Sequence, residues 1–300
     1  MDESAIPDTR GPFQARYLAF LETVAQLRPR LHRYCSRMTG SVMDGEDLVQ
    51  DALFQAYRRL DSFDESRPLT PWLFQIAHNQ CIDFLRRRQV RRQAEVAAVQ
   101  PDFIMPADPI GPDMAHAVEH LVMALAPKER ACVLLKDVFE YSLEEIAELV
   151  GSTVGGVKSA LNRGRSKLDS LPPRPAPAPA EENSQLIHLY VERFNRRDWD
   201  GIRELITADA RLLVADTYEG SLTDAPYFGR YESMVIPWQL AVGNVDGQQT
   251  AIVLRRDNGQ WRPHGLVRIE VMNNAITRVV DYSHCPWVLT ATNRLLVQIP

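Results

Sequence analysis

The sequence contains few cysteines, and none of them is paired. Its 300 residues include four, with no CxxC spacing and no histidine at a metal-ligand spacing from any of them. These residues are Cys35, Cys81, Cys132 and Cys285. We therefore expect reduced, unligated thiols, and the sequence suggests neither a metal nor a cofactor.

Long apolar runs are also absent. No stretch approaches the roughly 20 apolar residues that a membrane span requires, and residues 1–10 lack the apolar segment of a secretory signal. We therefore expect a cytoplasmic protein without a membrane partner.

A surplus of positive charge is missing as well. The formal net charge is −5 at pH 7, which argues against a protein that coats DNA by bulk electrostatics. Any contact with nucleic acid must therefore come from local basic patches.

Prolines cluster in two segments and indicate how the chain is divided. Residues 98–116 contain four prolines and three aspartates, and residues 172–183 contain the run PPRPAPAPA. Such segments cannot continue a helix and are typical of linkers. We predict a multidomain fold with an all-α unit over 14–97, a second all-α unit over 117–171 and an α+β domain over 184–300.

The first helical unit combines an acidic face with a basic segment. From Asp44 the sequence reads DGEDLVQDALFQAYRRLDSFD, whose apolar residues form one helical stripe. A second predicted helix begins near Pro71 and turns basic between Asp83 and Arg92, where five arginines accompany one aspartate. Phosphate is the natural counter-ion of such a segment. The acidic face carries Glu46, Asp47, Gln50 and Asp51.

A purely structural interpretation of these features stays open. The acidic face is explained equally well as a solvated helix surface. Trp72 and Phe74 are candidate core residues, whereas Asn79, His78 and the arginines are expected on the solvent side.

The second helical unit has the local signals of a helix-turn-helix. Ser142 and Glu145 form a capping box at the start of one helix, Gly151 supplies the left-handed residue that ends it, and Thr153 can cap the next helix. The exposed positions of that next helix are predicted to be Lys158, Ser159, Asn162, Arg163 and Arg165. These donors and acceptors suit a major-groove reader with phosphate anchors. A solvated basic helix is the alternative.

The two helical units resemble regions 2 and 4 of the extracytoplasmic-function sigma factors, within the sigma-70 family. The resemblance rests on EDLVQD and PWLFQIAHNQCIDFLRRR in the first unit and on SLEEIAELVGSTVGGVKSALNRGRSKL in the second. It implies two partners, core RNA polymerase and promoter DNA.

The resemblance also implies a role for individual residues. The clamp helices of the largest polymerase subunit would be bound by Glu46, Asp47, Gln50 and Asp51. The −10 promoter element would be bound by Asn79, Asp83, Arg86, Arg87 and Arg88. The −35 element would be bound by Lys158, Ser159, Asn162 and Arg163, with Arg130 on a phosphate.

The C-terminal domain reads as a helix over 184–200 followed by strands. The predicted strands are 211–215, 249–255, 265–272 and 276–282, with turns at 257–259 and 273–274. The sequence YVERFNRRDWDGIRELITADARLLVAD resembles the SnoaL-like branch of the NTF2-like superfamily. That resemblance implies a curved sheet wrapped by helices around a conical pocket.

A pocket of this kind could hold catalytic groups or a small ligand of unknown identity. Its candidate residues are Asp216, Tyr218, Asp281 and His284. Sigma factors with a fused SnoaL-like domain use that domain to tune polymerase and promoter binding. Some carry an Asp-Gly-Gly-Gly loop there, whereas this sequence reads DTYEG at 216–220.

These observations predict a sigma factor, not an enzyme, whose promoter-directed activity is modulated by its own C-terminal domain. Two alternatives stay open. One is a SnoaL-like enzyme of the cyclase or isomerase type fused to a DNA-binding module. The other is a DNA-binding regulator that acts without polymerase.

Overall fold

A computed structural model describes residues 12–64, 66–98, 124–170, 184–215, 217–223, 225–292 and 295–297. Contacts divide the chain into two compact units, one formed by the described residues of 12–39, 44–98 and 125–170 and the other by those of 40–43, 124 and 184–297. The predicted linkers lie outside the described residues, except residue 98, which ends a helix. The predicted class, helical units followed by an α+β unit, is confirmed.

Three helices form the first part of the helical unit. They are α1 (Pro12–Thr39), α2 (Val42–Arg58) and α3 (Leu69–Ala98), with a 3-10 turn at Leu60–Ser62. Their apolar stripes bury large side chains, which is the main source of stability for such a bundle. The fully buried ones include Leu31, Tyr34, Met38, Leu60, Leu73 and Phe74.

Gly45 permits a close approach of α2 to α1. A Cβ atom at this position would lie 2.3 Å from Ser36 Oγ and 2.6 Å from Ser36 N, distances that no side chain tolerates. Glycine weakens a helix by about 1 kcal/mol relative to alanine. The residue that looks unfavourable in the sequence is therefore required by the crossing of the two helices.

The second part of the helical unit contains the predicted helix-turn-helix. This second part consists of α4 (Pro127–Val133), a π-helical turn (Leu134–Val138), α5 (Leu143–Leu149) and α6 (Val154–Ser170). The helix-turn-helix itself is formed by α5 and α6. Both halves of the Ser142–Glu145 capping box are present. Gly151 has a φ of 60°, and Thr153 Oγ1 accepts a hydrogen bond from Gly156 N at 3.1 Å. The expected caps and turn are thus confirmed.

The two parts of the helical unit pack against each other through aromatic side chains. The Tyr34 ring lies 6.0 Å from Phe139, and the Phe74 ring lies 5.8 Å from Tyr141, both edge-on. The Arg30 guanidinium lies 4.7 Å from the Tyr141 ring centroid, a cation–π distance. In this structure the helix-turn-helix is therefore docked on α1 and α3.

The C-terminal unit begins with two helices, α7 (Ser184–Asn195) and α8 (Trp199–Leu205). Its remaining elements are β1 (Ile206–Val214), β2 (Tyr218–Ser221), α9 (Tyr227–Glu232), β3 (Trp238–Val245), β4 (Gln248–Asp257), β5 (Gln260–Met272), β6 (Ala275–Asp281), α10 (Pro286–Thr290) and β7 (Leu295–Val297). The strand order is β2-β1-β6-β5-β4-β3-β7. Only the β1–β6 pair is parallel among these described strands.

The four predicted strands correspond to β1, β4, β5 and β6, and both predicted turns are present. Asn258, Gly259, Asn273 and Asn274 all have positive φ, as two-residue hairpin turns of this type require. The strands β2, β3 and β7 were not predicted. The two edge-side strands β2 and β7 are short, and β3 contains Gly243 and Asn244, which are unfavourable in strands.

Aromatic side chains fill the space between the helices and the sheet of this unit. Phe194 lies at the centre, with Tyr231 at 5.1 Å and Trp199 at 5.2 Å between ring centroids. The cluster around it is completed by Tyr190, Tyr227, Phe228 and Trp238.

The helices of the described ranges include none with the length and apolarity to cross a membrane.

Candidate nucleic-acid interface

The basic second half of α3 is accessible. Asn79, Asp83, Arg86, Arg87 and Arg88 are all exposed, as is Arg91. Arg86 forms an ion pair with Asp83 at 3.1 Å, and both partners are exposed, so the pair is readily exchanged for other contacts. A row of guanidinium groups along one helix is suited to the phosphates of a single strand.

The helix α6 presents its predicted readers to solvent. Lys158, Ser159, Asn162 and Arg163 are exposed, on the second helix of the helix-turn-helix, the one that enters the major groove in such motifs. Its cations also have intramolecular partners. Arg163 Nε lies 3.0 Å from Glu129, Lys167 Nζ lies 2.8 Å from the same carboxylate, and Arg165 Nε lies 3.2 Å from Asp137.

Arg130 does not lie on the DNA-facing surface in this structure. Its side chain is buried and donates hydrogen bonds to the backbone oxygens of Met38 and Leu125. Burial, with Arg88 nearby, lowers the pKa of Arg130 to about 10, so the group stays charged at neutral pH. The expected phosphate contact is therefore replaced by a link between α4 and the end of α1.

His78 is likewise buried, contrary to the expectation of a solvent-side position. Its Nδ1 lies 2.7 Å from Tyr34 Oη, and burial lowers the pKa of His78 to about 4. Phe74 is fully buried and Trp72 partly buried, as the structural interpretation required. The −10 candidates on α3 are therefore the exposed residues from Asn79 onward.

The buried imidazole predicts a pH dependence of stability. An unfolded chain protonates His78 near pH 6.5, whereas the folded chain resists protonation until about pH 4. The free energy of unfolding should therefore fall as pH drops from about 6.5 to about 4, by up to ~3 kcal/mol. Urea unfolding between pH 4 and 7.5 measures this, and His78→Gln should flatten the profile. Two results would contradict the assignment of this pH dependence to His78. One is a free energy of unfolding that depends on pH in His78→Gln as it does in the wild-type chain. The other is an equally flat dependence in His188→Gln, at an exposed position.

Comparisons with known proteins match both parts of the helical unit. Residues 23–91 match the family model Sigma-70 region 2, and residues 115–168 match Sigma-70, region 4. The ECF RNA polymerase sigma factor SigW of Bacillus subtilis is 33% identical over 162 residues, which are 50% of this chain and 87% of SigW. The chain belongs to the ECF sigma factors of RNA polymerase.

A second relative extends further along the chain. The ECF RNA polymerase sigma factor SigG of Mycobacterium tuberculosis is 30% identical over 246 residues, which are 70% of this chain. The match spans 65% of the length of SigG. Among solved structures, the Mycobacterium tuberculosis extracytoplasmic function sigma factor SigJ is 16% identical, with coverage of 87% of this chain and 95% of SigJ and a TM-score of 0.35.

Within this ECF sigma factor, the acidic face of α2 is only partly exposed. Glu46 was expected on that face, but its side chain is fully buried and paired with Arg28 on α1. Asp47 and Gln50 are half-buried, and Asp51 is exposed. The expectation of an exposed position for Glu46 was wrong, because its side chain points toward α1 and pairs there with Arg28. A fully buried carboxylate offers no surface to a partner.

Apolar residues to which the sequence analysis assigned no binding role are exposed on the same helices. Phe54 is 64% exposed on α2, and Tyr57 is half-exposed and contacts the Tyr17 ring at 5.7 Å. Leu18 and Leu21 on α1 are also exposed. The signal was present in the sequence, because Phe54 stands one position away from the apolar stripe of α2. Aromatic residues are enriched in protein–protein interfaces relative to the rest of the surface.

The four candidate pocket residues do not share one environment. Asp281 is buried at the end of β6, where its carboxylate accepts hydrogen bonds from Tyr227 Oη (2.9 Å), Tyr231 Oη (2.6 Å) and Ser283 N (2.8 Å). Tyr218 and His284 are exposed. Asp216 lies outside the described residues.

The hydrogen bonds of Asp281 define its role in this structure. Burial and the Asp281 charge raise the pKa of Tyr227 and of Tyr231 well above their usual value, so both phenols remain donors. The three hydrogen bonds compensate a carboxylate that would be costly to bury alone. Asp281 thus ties α9 to β6.

Proposed function

We propose that this chain is a transcription initiation factor that binds core RNA polymerase and directs it to promoters. The observation that carries this proposal is the presence of two exposed cationic surfaces in one helical unit, the arginine row of α3 and the reading face of α6. The first suits a melted strand and the second suits a duplex groove. Membership of the ECF sigma factor family supports the same conclusion.

The roles of individual residues follow from their exposure. In this proposal Asp51, with Asp47, Gln50 and the exposed ring of Phe54, contacts the polymerase clamp helices. The −10 element is bound by Asn79, Asp83, Arg86, Arg87 and Arg88. The −35 element is bound by Lys158, Ser159, Asn162 and Arg163. Such a role places the chain with polymerase in the bacterial cytoplasm.

In this proposal the C-terminal unit modulates initiation and catalyses no reaction. The Asp281 carboxylate is occupied by three donors, which leaves it poorly placed to take a proton from a substrate. Tyr218 and His284 are exposed. An enzyme would instead lose turnover on substitution of Asp281 or His284, which separates the two interpretations.

Run-off transcription with purified core polymerase tests the proposal. The full chain should direct initiation from a subset of genomic promoter fragments, and core polymerase alone should not. Removal of residues 172–300 should change transcript yield or affinity for core polymerase, provided that circular dichroism shows the remainder folded. No transcript from any fragment, together with no association with core polymerase, contradicts the proposal. Unchanged yield and affinity after the truncation contradict modulation.

Promoter binding through both surfaces requires a separation between them that the structure does not provide. Elements at −35 and −10 lie about 25 base pairs apart, about 85 Å of duplex. Asn79 lies about 8 Å along α3 from Phe74, whose ring is 5.8 Å from that of Tyr141. The chain from Tyr141 to Lys158 spans at most about 40 Å. The two surfaces are thus no more than about 60 Å apart.

The helix-turn-helix should therefore leave α1 and α3 when the promoter is bound. Gln26→Cys and Ser166→Cys place spin labels on α1 and α6, both at exposed positions. Double electron–electron resonance then measures the distance between the two labels. The four native cysteines are buried, so they label poorly. We expect the distance to increase by more than about 20 Å on forming the promoter complex, from the bound given above. An unchanged distance in a transcribing complex would exclude this opening.

A further inference from the structure

Glu129 connects the reading helix to the helix that precedes the helix-turn-helix. It lies in the first turn of α4 and is 5% exposed. Its two carboxylate oxygens accept hydrogen bonds from different residues of α6, Oε1 from Arg163 Nε at 3.0 Å and Oε2 from Lys167 Nζ at 2.8 Å. The side chains of those two residues are more than half exposed.

The position of this carboxylate relative to α6 is fixed by close packing. Gly164 follows Arg163, and a Cβ atom there would lie 2.9 Å from Val133 Cγ2 and 3.5 Å from Glu129 Cβ. The helices α4 and α6 are therefore in contact at this point. The hydrogen bond from Lys167, together with that from Arg163, lowers the pKa of Glu129, although burial opposes the shift. The carboxylate is thus a charged, rigidly placed acceptor.

An arginine held through Nε keeps its remaining N–H groups for another partner. Guanidinium groups read guanine through two parallel hydrogen bonds, and this geometry depends on the orientation of the plane. An unrestrained arginine or lysine binds any phosphate as a mobile charge, which adds affinity without sequence preference. Glu129 restrains Arg163 and offsets the charge of Lys167 at the same time.

We propose that Glu129 is a positioning residue for promoter recognition, which orients Arg163 toward a base edge and reduces sequence-independent attraction of α6 to phosphate. The inference rests on the proposed function and names a residue outside the reading helix. A second acidic residue provides a contrast. Asp137 pairs with Arg165 at an exposed site, so its removal releases a cation without reorienting Arg163.

Run-off transcription from two templates tests the proposal. One carries a promoter that the wild-type chain uses with core polymerase, and the other differs only in a scrambled −35 element. We measure the ratio of transcript from the two. Glu129→Gln, which keeps the shape and removes the charge, should lower that ratio roughly tenfold, the size expected for one base contact. Asp137→Asn should leave the ratio within about twofold, because it leaves that base contact in place.

Two further variants separate positioning from a structural role. A loss of folded protein lowers transcript from both templates equally and leaves the ratio unchanged. Positioning through Arg163 predicts that Glu129→Gln changes the ratio by no more than about twofold in an Arg163→Ala background, because the base contact is already lost there. In the wild-type background Glu129→Asp, which keeps a charged acceptor, should lower the ratio less than Glu129→Gln does. An unchanged ratio in Glu129→Gln, or additive losses in the double variant, overturns the inference. A wild-type chain that supports no transcription overturns the proposed function, and this inference with it.

Discussion

Replacement of Arg130 by methionine should lower the free energy of unfolding of the helical unit by about 3 kcal/mol. The guanidinium is buried and donates to the carbonyl oxygens of Met38 and Leu125. Methionine fills a similar volume but donates nothing. Two buried carbonyl groups would then lose a charged donor, and each such loss costs on the order of 1–3 kcal/mol.

Urea unfolding followed by circular dichroism measures this effect. Arg165→Met is the matched control, because Arg165 lies on the same unit and pairs with Asp137 at an exposed site. The control should change the free energy of unfolding by no more than about 0.5 kcal/mol. Equal effects of the two substitutions would show that the Arg130 hydrogen bonds do not hold α4 to the end of α1.

Loss of the Glu46 side chain should destabilise the helical unit by about 3–5 kcal/mol. Its carboxylate is fully buried, and it pairs with Arg28, whose side chain is only 13% exposed. Gln50 Nε2 also lies 3.4 Å from Glu46 Oε1. Glu46→Ala leaves the Arg28 charge buried without this acceptor, and a buried charge that loses its partner is costly.

Asp51→Ala is the matched variant on the same helix. Asp51 is exposed, so its loss should change the free energy of unfolding by no more than about 0.5 kcal/mol. In the proposed function it should instead weaken binding to core polymerase, by roughly tenfold if the side chain is part of the interface core. Urea unfolding and titration with fluorescently labelled core polymerase give the two readouts.

The pair of variants distinguishes two uses of acidic residues on α2. If Glu46→Ala keeps the wild-type free energy of unfolding but no longer binds polymerase, then Glu46 is a contact residue. Its burial is then not maintained in the complex. If Asp51→Ala destabilises the unit as strongly, then the exposed end of the acidic face is structural. Either result would contradict the roles assigned from exposure, in which Glu46 is structural and Asp51 contacts polymerase.

Several features of the fold were predictable because their causes lie within a few residues. The Ser142–Glu145 capping box, the left-handed Gly151 and the Thr153 cap each depend on hydrogen bonds over three or four positions. The asparagine turn at 273–274 depends on two adjacent residues. The exposed face of α6 followed from helical periodicity alone.

Burial of charged and polar side chains depended on contacts between residues distant in sequence. Arg130 looks like a phosphate contact in the sequence, and its actual acceptor, Met38 O, is 92 positions away. His78 reaches Tyr34 across 44 positions. A helical pattern gives the angle of a residue around its own helix, but it does not reveal which neighbour covers that angle.

The sequence by itself determined the helices, the turn of the helix-turn-helix and the family, because these features depend on local spacing and composition. The tertiary structure decided which of the charges are available. It buried Glu46 with Arg28, and it placed Glu129 beside Arg163. The physical reason is that the free energy of a charge depends on its solvent exposure and its partners, and helices far apart in the chain supply both.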